Sequence, residues 1–425
     1  ASIEIKQNLK NDSSNFFEAH LILALESLKK KNFDKSIVYL EQSHKFINND
    51  RIALVIYETI KQYLLVFEEG KISKTKTNFG KISFINEVFQ KCYLGDKNTE
   101  NNFKIIINNK EDYSRYIFFL INYLIENNKL DKAQSVISEI DYLNSSLLIA
   151  QSKEWIKKNE IKKIEKIFSC KNPNDLISEF IFLIGNLYAS QSDYEKSNFY
   201  LNIANYLNPN FKFNLSVMVE NYYFNKDYEK TKKILKSFDE KDSFYYWFKL
   251  KKKAQIISKE KSDQKSLKFI NQKFEKINNP SIKTIFDIAN FNKNSKKYQN
   301  AINHYDLIIS KIDVNTNIYA EILYRRGSSH ERLGNYLKSD EDFLKSLEIN
   351  PEDTYVLNYL AYSWLEREYK IEQAIQMLEK AYKLRSNDPY IIDSIGWGYY
   401  MVSDFVKAEN FLKRAVELMP NDPIV

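Results

Sequence analysis

The sequence predicts an all-α chain, an α-solenoid of tandem helix–turn–helix units, and three observations predict it. Gly327, Ala361 and Gly396 recur at intervals of 34 and 35 residues. In phase with them run Ser339, Ala374 and Ala408, then Phe343, Leu378 and Leu412, then Ser346, Ala381 and Ala415, and finally Pro351, Ser386 and Pro420. Small residues therefore repeat where two helices must touch, large ones where a side chain must fill the gap, and Pro where a helix must stop. The third observation is that Gly (8) and Pro (7) are scarce in 425 residues, and the repeat consumes Gly185, Gly327, Gly396, Pro209, Pro351 and Pro420. No Pro/Gly/Ser-rich linker interrupts the chain, so a length that would ordinarily split into two or three domains reads instead as one continuous solenoid.

Taken in order, residues 1–50 hold one pair, carried by Ala24, Phe33, Ser36, Leu40 and Ser43. Residues 51–175 read as degenerate helical repeats, apolar at helical spacing, with a faint copy at Ile121, Leu124, Leu130, Ala133 and Ile137. A soft break is expected around 51–110. Residues 176–245 hold two copies, the first through Gly185, Tyr188, Tyr194, Ser197, Leu201, Ala204 and Pro209. The second follows through Val219, Tyr222, Tyr228, Thr231, Leu235 and Phe238. Residues 246–318 include a copy at Ala289, Tyr298, Ala301 and Tyr305, and residues 319–425 hold three well-formed copies. The middle one carries an extra residue near Glu368, and the sequence stops where a further helix is expected to start.

These positions resemble the tetratricopeptide repeat (TPR) family, whose signature asks for a small residue at position 8, aromatics at 11 and 17, Ala at 20 and 27, a large residue at 24 and Pro at 32. Ile392, Gly396, Tyr399, Phe405, Ala408, Leu412, Ala415 and Pro420 match it almost completely, and Gly327, Tyr336, Phe343 and Pro351 match a second copy. The resemblance implies a right-handed superhelical solenoid of about 11–12 helix pairs. The words Asp393-Ser394-Ile395-Gly396-Trp397 and Met419-Pro420-Asn421-Asp422-Pro423 resemble a group of alphaproteobacterial exported TPR proteins. A related branch includes an outer-membrane lipoprotein that scaffolds a processing protease. The resemblance implies a periplasmic or outer-membrane-associated scaffold, with an N-terminal anchor absent from the sequence as given.

Chemistry of other kinds finds little support. The net charge of +7 is mild for this length, lysine clusters such as Lys251-Lys252-Lys253 read as solvated faces, and arginine is rare, so RNA binding is the weaker reading. The four histidines, His20, His44, His304 and His330, have no ligand-type partner at i+3 or i+4, and no Gly-rich phosphate loop, GxSxG or HExxH occurs. No catalytic residue, cofactor site or metal site is predicted. The longest apolar run, Tyr116 to Ile125, is too short to span a bilayer. Cys92 and Cys170 lack CxxC spacing and read as two small buried apolar side chains.

What remains is protein binding. In the TPR superhelix the first helix of each pair lines a concave groove, with positions 2, 5, 9, 12 and 13 on one face. Position 5 supplies Phe118, Phe182, Phe286 and Tyr324, and position 9 supplies Asn122, Asn186 and Asn290. An Asn amide can donate and accept at once, so a row of them could grip the backbone of an extended peptide. In the last two repeats the groove positions are Tyr355, Asn358, Tyr362, Tyr390, Asp393, Trp397 and Tyr400, more aromatic than a core requires. A further repeat downstream would cover part of that surface. The paired Lys and Asn with which chaperone-binding TPRs hold a terminal carboxylate are not supplied at these positions. The expected function is a non-enzymatic scaffold whose groove binds an extended peptide or helix of a partner, in envelope assembly or proteolysis. The alternative is a structural subunit working through its ends or convex face.

Overall fold

One turn recurs through the molecule and sets its pairs. A single residue takes the left-handed conformation at Lys31 (φ 58°), Ser192 (62°), Lys226 (59°), Lys296 (58°), Gly334 (74°) and Ser403 (62°), each two residues before the second helix of its pair. At four of these turns the next side chain caps that helix, Asn32, Asp193, Asp227 and Asp404 accepting from the backbone N–H three residues on. Such a cap is worth about 1 kcal/mol and offsets the strain of a left-handed non-glycine. The extra residue in the repeat at 354–384 is absorbed in the same place, by two left-handed residues, Glu368 (51°) and Lys370 (47°).

The computed structural model describes residues 16–74, 77–108, 115–141, 143 and 145–422. Among these, 23 helices and no strands occur, and the chain divides into two compact units, Ala1–Ile256 and Ile257–Val425. The fold is the all-α repeat solenoid that the periodicity predicts. Among the described residues, no helix is long and apolar enough to cross a membrane.

The repeat register is visible as close approach. A Cβ built on Gly185 would lie 3.0 Å from Leu201 Cγ, on Gly327 3.1 Å from Phe343 Cε1, and on Gly396 2.8 Å from Leu412 Cγ. In each case the small residue of the first helix receives the large residue of the second. At two positions where Ser replaces a small apolar residue it finds a carbonyl, Ser36 Oγ donating to Ala24 O (2.8 Å) and Ser346 Oγ to Ala320 O (2.9 Å), whereas the buried Ser339 hydroxyl has no partner among the described residues. The first two hydroxyls are thus satisfied rather than left at a cost of about 1–3 kcal/mol.

The first unit departs from a simple stack. The helices Phe17–Lys29 and Arg51–Glu69 pack against Pro173–Ser190, far along the chain, and one hydrophobic core runs from Phe17 to Met218. Lys29 Nζ donates to the Tyr206 carbonyl and sits 3.8 Å from the centre of that ring. Arg115 forks onto buried Glu179 at 2.9 and 2.6 Å, with its guanidinium stacked 3.7 Å from Phe182. Cys92 and Cys170 are not two separate apolar side chains: they form a disulfide across 78 residues. It ties the helix Lys81–Leu94 to the segment leading into Pro173, where Asn122 and Asn208 also donate to the carbonyls of Phe168 and Ile167.

In the second unit pairs stack in chain order: Ile282–Asn294 with Tyr298–Ile309, Asn317–Glu331 with Tyr336–Ile349, Thr354–Glu366 with Ile371–Leu384, and Pro389–Met401 with Phe405–Leu418. Its side-chain ties reach only the same or the neighbouring repeat, as in Arg326 to Asp342 (2.6 Å), Arg367 to Asp340 (2.7 Å) and Tyr359 to Glu331 (3.1 Å).

Candidate functional site

The predicted groove residues separate into buried and accessible sets. Phe118, Asn122, Phe182 and Phe286 are buried, so they cannot meet a ligand. Phe118 packs on Phe119 and Phe211, and Phe182 on Phe213 beneath the Arg115 guanidinium. Asn122 spends its amide on the Phe168 carbonyl. The reason is common to them: helices from non-adjacent parts of the first unit, or the next repeat, cover that face. Asn186 is exposed, while Asn290 is half-buried and accepts from the Tyr305 hydroxyl at 2.7 Å. The three Asn residues therefore do not form the expected row.

The second unit keeps its face open. Tyr355, Tyr362, Tyr390 and Tyr400 remain 54%, 40%, 42% and 49% exposed, on the helices Thr354–Glu366 and Pro389–Met401. Trp397 is half-buried and stacks on Tyr400, with centroids 5.3 Å apart and planes within 15°. Tyr390, Asp393, Trp397 and Tyr400 fall at intervals of 3 or 4, so they share one helix face. Tyr362 lies near enough to Asp393 and Glu366 for both carboxylates to raise its hydroxyl's pKa, after burial, the largest cause. Burial pushes the Asp393 carboxyl above the usual carboxylate range, and no cation counters it. Two buried polar atoms here lack partners, the Asn358 Oδ1 and the Trp397 Nε1.

Next to this face, Tyr324 is half-buried, 6.0 Å from both Phe343 and Tyr359. Lys293 approaches the Tyr324 ring (5.9 Å), and its amine is pushed down to about 8, first by burial and then by the charge of Arg325. Arg325 pairs with Glu321 at 2.6 Å and lies 5.1 Å from the centre of Phe286. Lys293 escaped the sequence reading, although it occupies position 12 of its repeat, four residues after Ala289 at position 8.

The first unit has a different cavity, a cleft of about 340 Å³ lined by Gln151, Trp155, Lys163, Lys212 and Asp242. Its charges largely cancel: Lys163 pairs with Glu160 (2.8 Å) and Lys212 with Asp242 (3.5 Å). The Lys251–Lys253 cluster is no basic stripe either, because Lys252 is 4% exposed and pairs with Glu220 at 2.6 Å.

Residues 320–353 match the tetratricopeptide repeat profile. A stretch of 103 residues, 24% of the chain, is 28% identical to the TPR repeat-containing protein PA4667 of Pseudomonas aeruginosa and spans 18% of that protein's length. Among solved structures, MamA is 16% identical with a TM-score of 0.33, over 39% of this chain and 95% of its own. YrrB, described as a TPR protein with an unusual peptide-binding site, is 14% identical with a TM-score of 0.32, over 41% of this chain and 88% of its own.

Proposed function

We propose, from the match of residues 320–353 to the tetratricopeptide repeat profile, that the chain is a non-enzymatic scaffold whose second unit holds an extended segment of another protein against the helices Thr354–Glu366 and Pro389–Met401. One observation carries the reading: Tyr355, Tyr362, Tyr390 and Tyr400 stay exposed on two helices that pack against each other, and the repeat core does not need them. Tyr and Trp present large contact area with few rotors to freeze, and truncating one well-buried in an interface typically costs about 2 kcal/mol or more. The Cys92–Cys170 disulfide supports an oxidising compartment. That agrees with a role in the cell envelope, in assembly or proteolysis.

The test is affinity capture with purified wild-type chain and a Tyr362→Ala, Trp397→Ala, Tyr400→Ala variant whose circular dichroism is unchanged, beside a Leu337→Ala control at an 89%-exposed position of the helix Tyr336–Ile349. A protein held by wild type and control but lost by the triple variant supports the groove. Equal capture by all three refutes it.

A second reading has an observation of its own. The helix Phe405–Leu418 exposes Phe405, Val406, Val416 and Leu418, which favours assembly through that end. It expects sedimentation that depends on chain concentration and is abolished by Val406→Lys with Val416→Lys.

A further inference from the structure

The two helices that form the open aromatic face are depleted of charge in a one-sided way. Thr354–Glu366 and Pro389–Met401 hold 13 residues each, and their only charged side chains are Glu366 and Asp393. At the chain's 28% charged residues, about seven would be expected in such a length, and with 63 Lys and Arg against 56 Asp and Glu most would be cations. Neither helix contains Lys, Arg or His.

The rings of these repeats divide by whether a cation of the chain itself covers them. Tyr336 and Tyr355, both exposed, and Tyr399 and Trp364, both buried, carry one. Arg367 lies 4.6 Å from the centre of Tyr336, Arg385 4.6 Å from Tyr355, Lys407 4.6 Å from Tyr399 and Lys370 4.7 Å from Trp364. Among the described residues, no cation lies over Tyr362, Trp397 or Tyr400. Asp393, on the same helix face as Trp397 and Tyr400, is half-buried with no counter-charge. A half-buried carboxylate that shares a helix face with Trp397 and Tyr400 is a poor device for holding the fold and a good one for holding a cation, which gains from both the charge and the rings.

Resting on the groove reading above, we infer that the bound segment presents a basic side chain, Arg or Lys, which seats on Asp393 against Tyr362, Trp397 and Tyr400. The second unit thus selects positively charged extended segments, and Glu366, close enough to Tyr362 to raise its hydroxyl's pKa, adds a second negative charge near it.

The experiment is selection of random dodecapeptides by phage display on the full chain, followed by titration of the enriched peptide, labelled with fluorescein, against wild type, Asp393→Asn and Trp397→Ala. The inference expects Arg or Lys enriched at one position. It further expects about tenfold weaker binding to Asp393→Asn, a loss that vanishes when the peptide's basic residue is replaced by Ala. Asp393→Asn should melt no lower than wild type, since it removes a half-buried, uncompensated charge. If enriched peptides bind through Trp397 but show no basic preference, or Asp393→Asn weakens the Ala-substituted peptide equally, the cation inference fails while the groove stands. If no peptide is enriched, or enriched peptides ignore Trp397→Ala, the groove fails and the inference with it. A chain that dimerises until Trp397 is replaced also overturns it, because the occupant is then a second copy.

Discussion

The two units are built from the same turn and the same helix pair, yet they spend their surfaces differently. Residues 1–256 use ties that span long stretches of sequence: the Cys92–Cys170 disulfide, the Arg115–Glu179 fork and Lys29 against Tyr206. Those ties draw helices from different parts of the chain onto the face where a ligand would lie, and Phe118, Asn122 and Phe182 end inside the core. Among the described residues, 257–422 link each repeat only to itself or its neighbour, so the stack grows in one dimension and leaves Tyr355, Tyr362, Tyr390 and Tyr400 exposed.

The comparison can be broken most strongly at the buried ion pair. Arg115→Met strands Glu179, which is buried with its carboxyl already pushed up by the same burial, and should cost the first unit about 3–5 kcal/mol. Hydrogen exchange should rise across 173–190 and remain unchanged across 389–401. Next in size is the disulfide. Replacing both Cys92 and Cys170 by Ser should cost about 2–4 kcal/mol, as should reduction, again seen only in exchange within residues 16–256. The local counterpart in the second unit is Gly396→Ala, whose added methyl would lie 2.8 Å from Leu412 Cγ. It should cost about 1–3 kcal/mol and loosen the helix Phe405–Leu418 before any other. The smallest effect sharpens what the units share. Asp193→Ala and Asp404→Ala each remove the cap of the same turn, one in each unit, and should each cost about 1 kcal/mol in urea unfolding.

The helix pairs were legible because their signal is local. Gly185, Gly327 and Gly396 sit where a period of about 34 puts them, and each receives the large residue, Leu201, Phe343 or Leu412, that the same period puts opposite. The pairing of Cys92 with Cys170 was not legible, since 78 residues of weakly patterned helix separate them and a period carries no information about contacts that break it. The site divides along the same line. Helical spacing states which side chains share a face, so Tyr390, Asp393, Trp397 and Tyr400 emerge together. It does not state what covers that face, which is why Phe118, Phe182 and Phe286 were expected in a groove and lie in the core. Lys293 stands at position 12 of its repeat, but its burial comes from the neighbouring repeat, which the spacing within one helix does not state.

The most direct measurement is photocrosslinking from chosen positions in the native host, with p-benzoylphenylalanine replacing Tyr362 or Tyr400 in the second unit and Asn186 at the matching position of the first. The account predicts one shared adduct from Tyr362 and Tyr400, competed by the segment selected on the purified chain, and none from Asn186. An adduct from Asn186 with none from Tyr362 or Tyr400 would contradict it, because the ligand face would then lie in the closed unit rather than the open one.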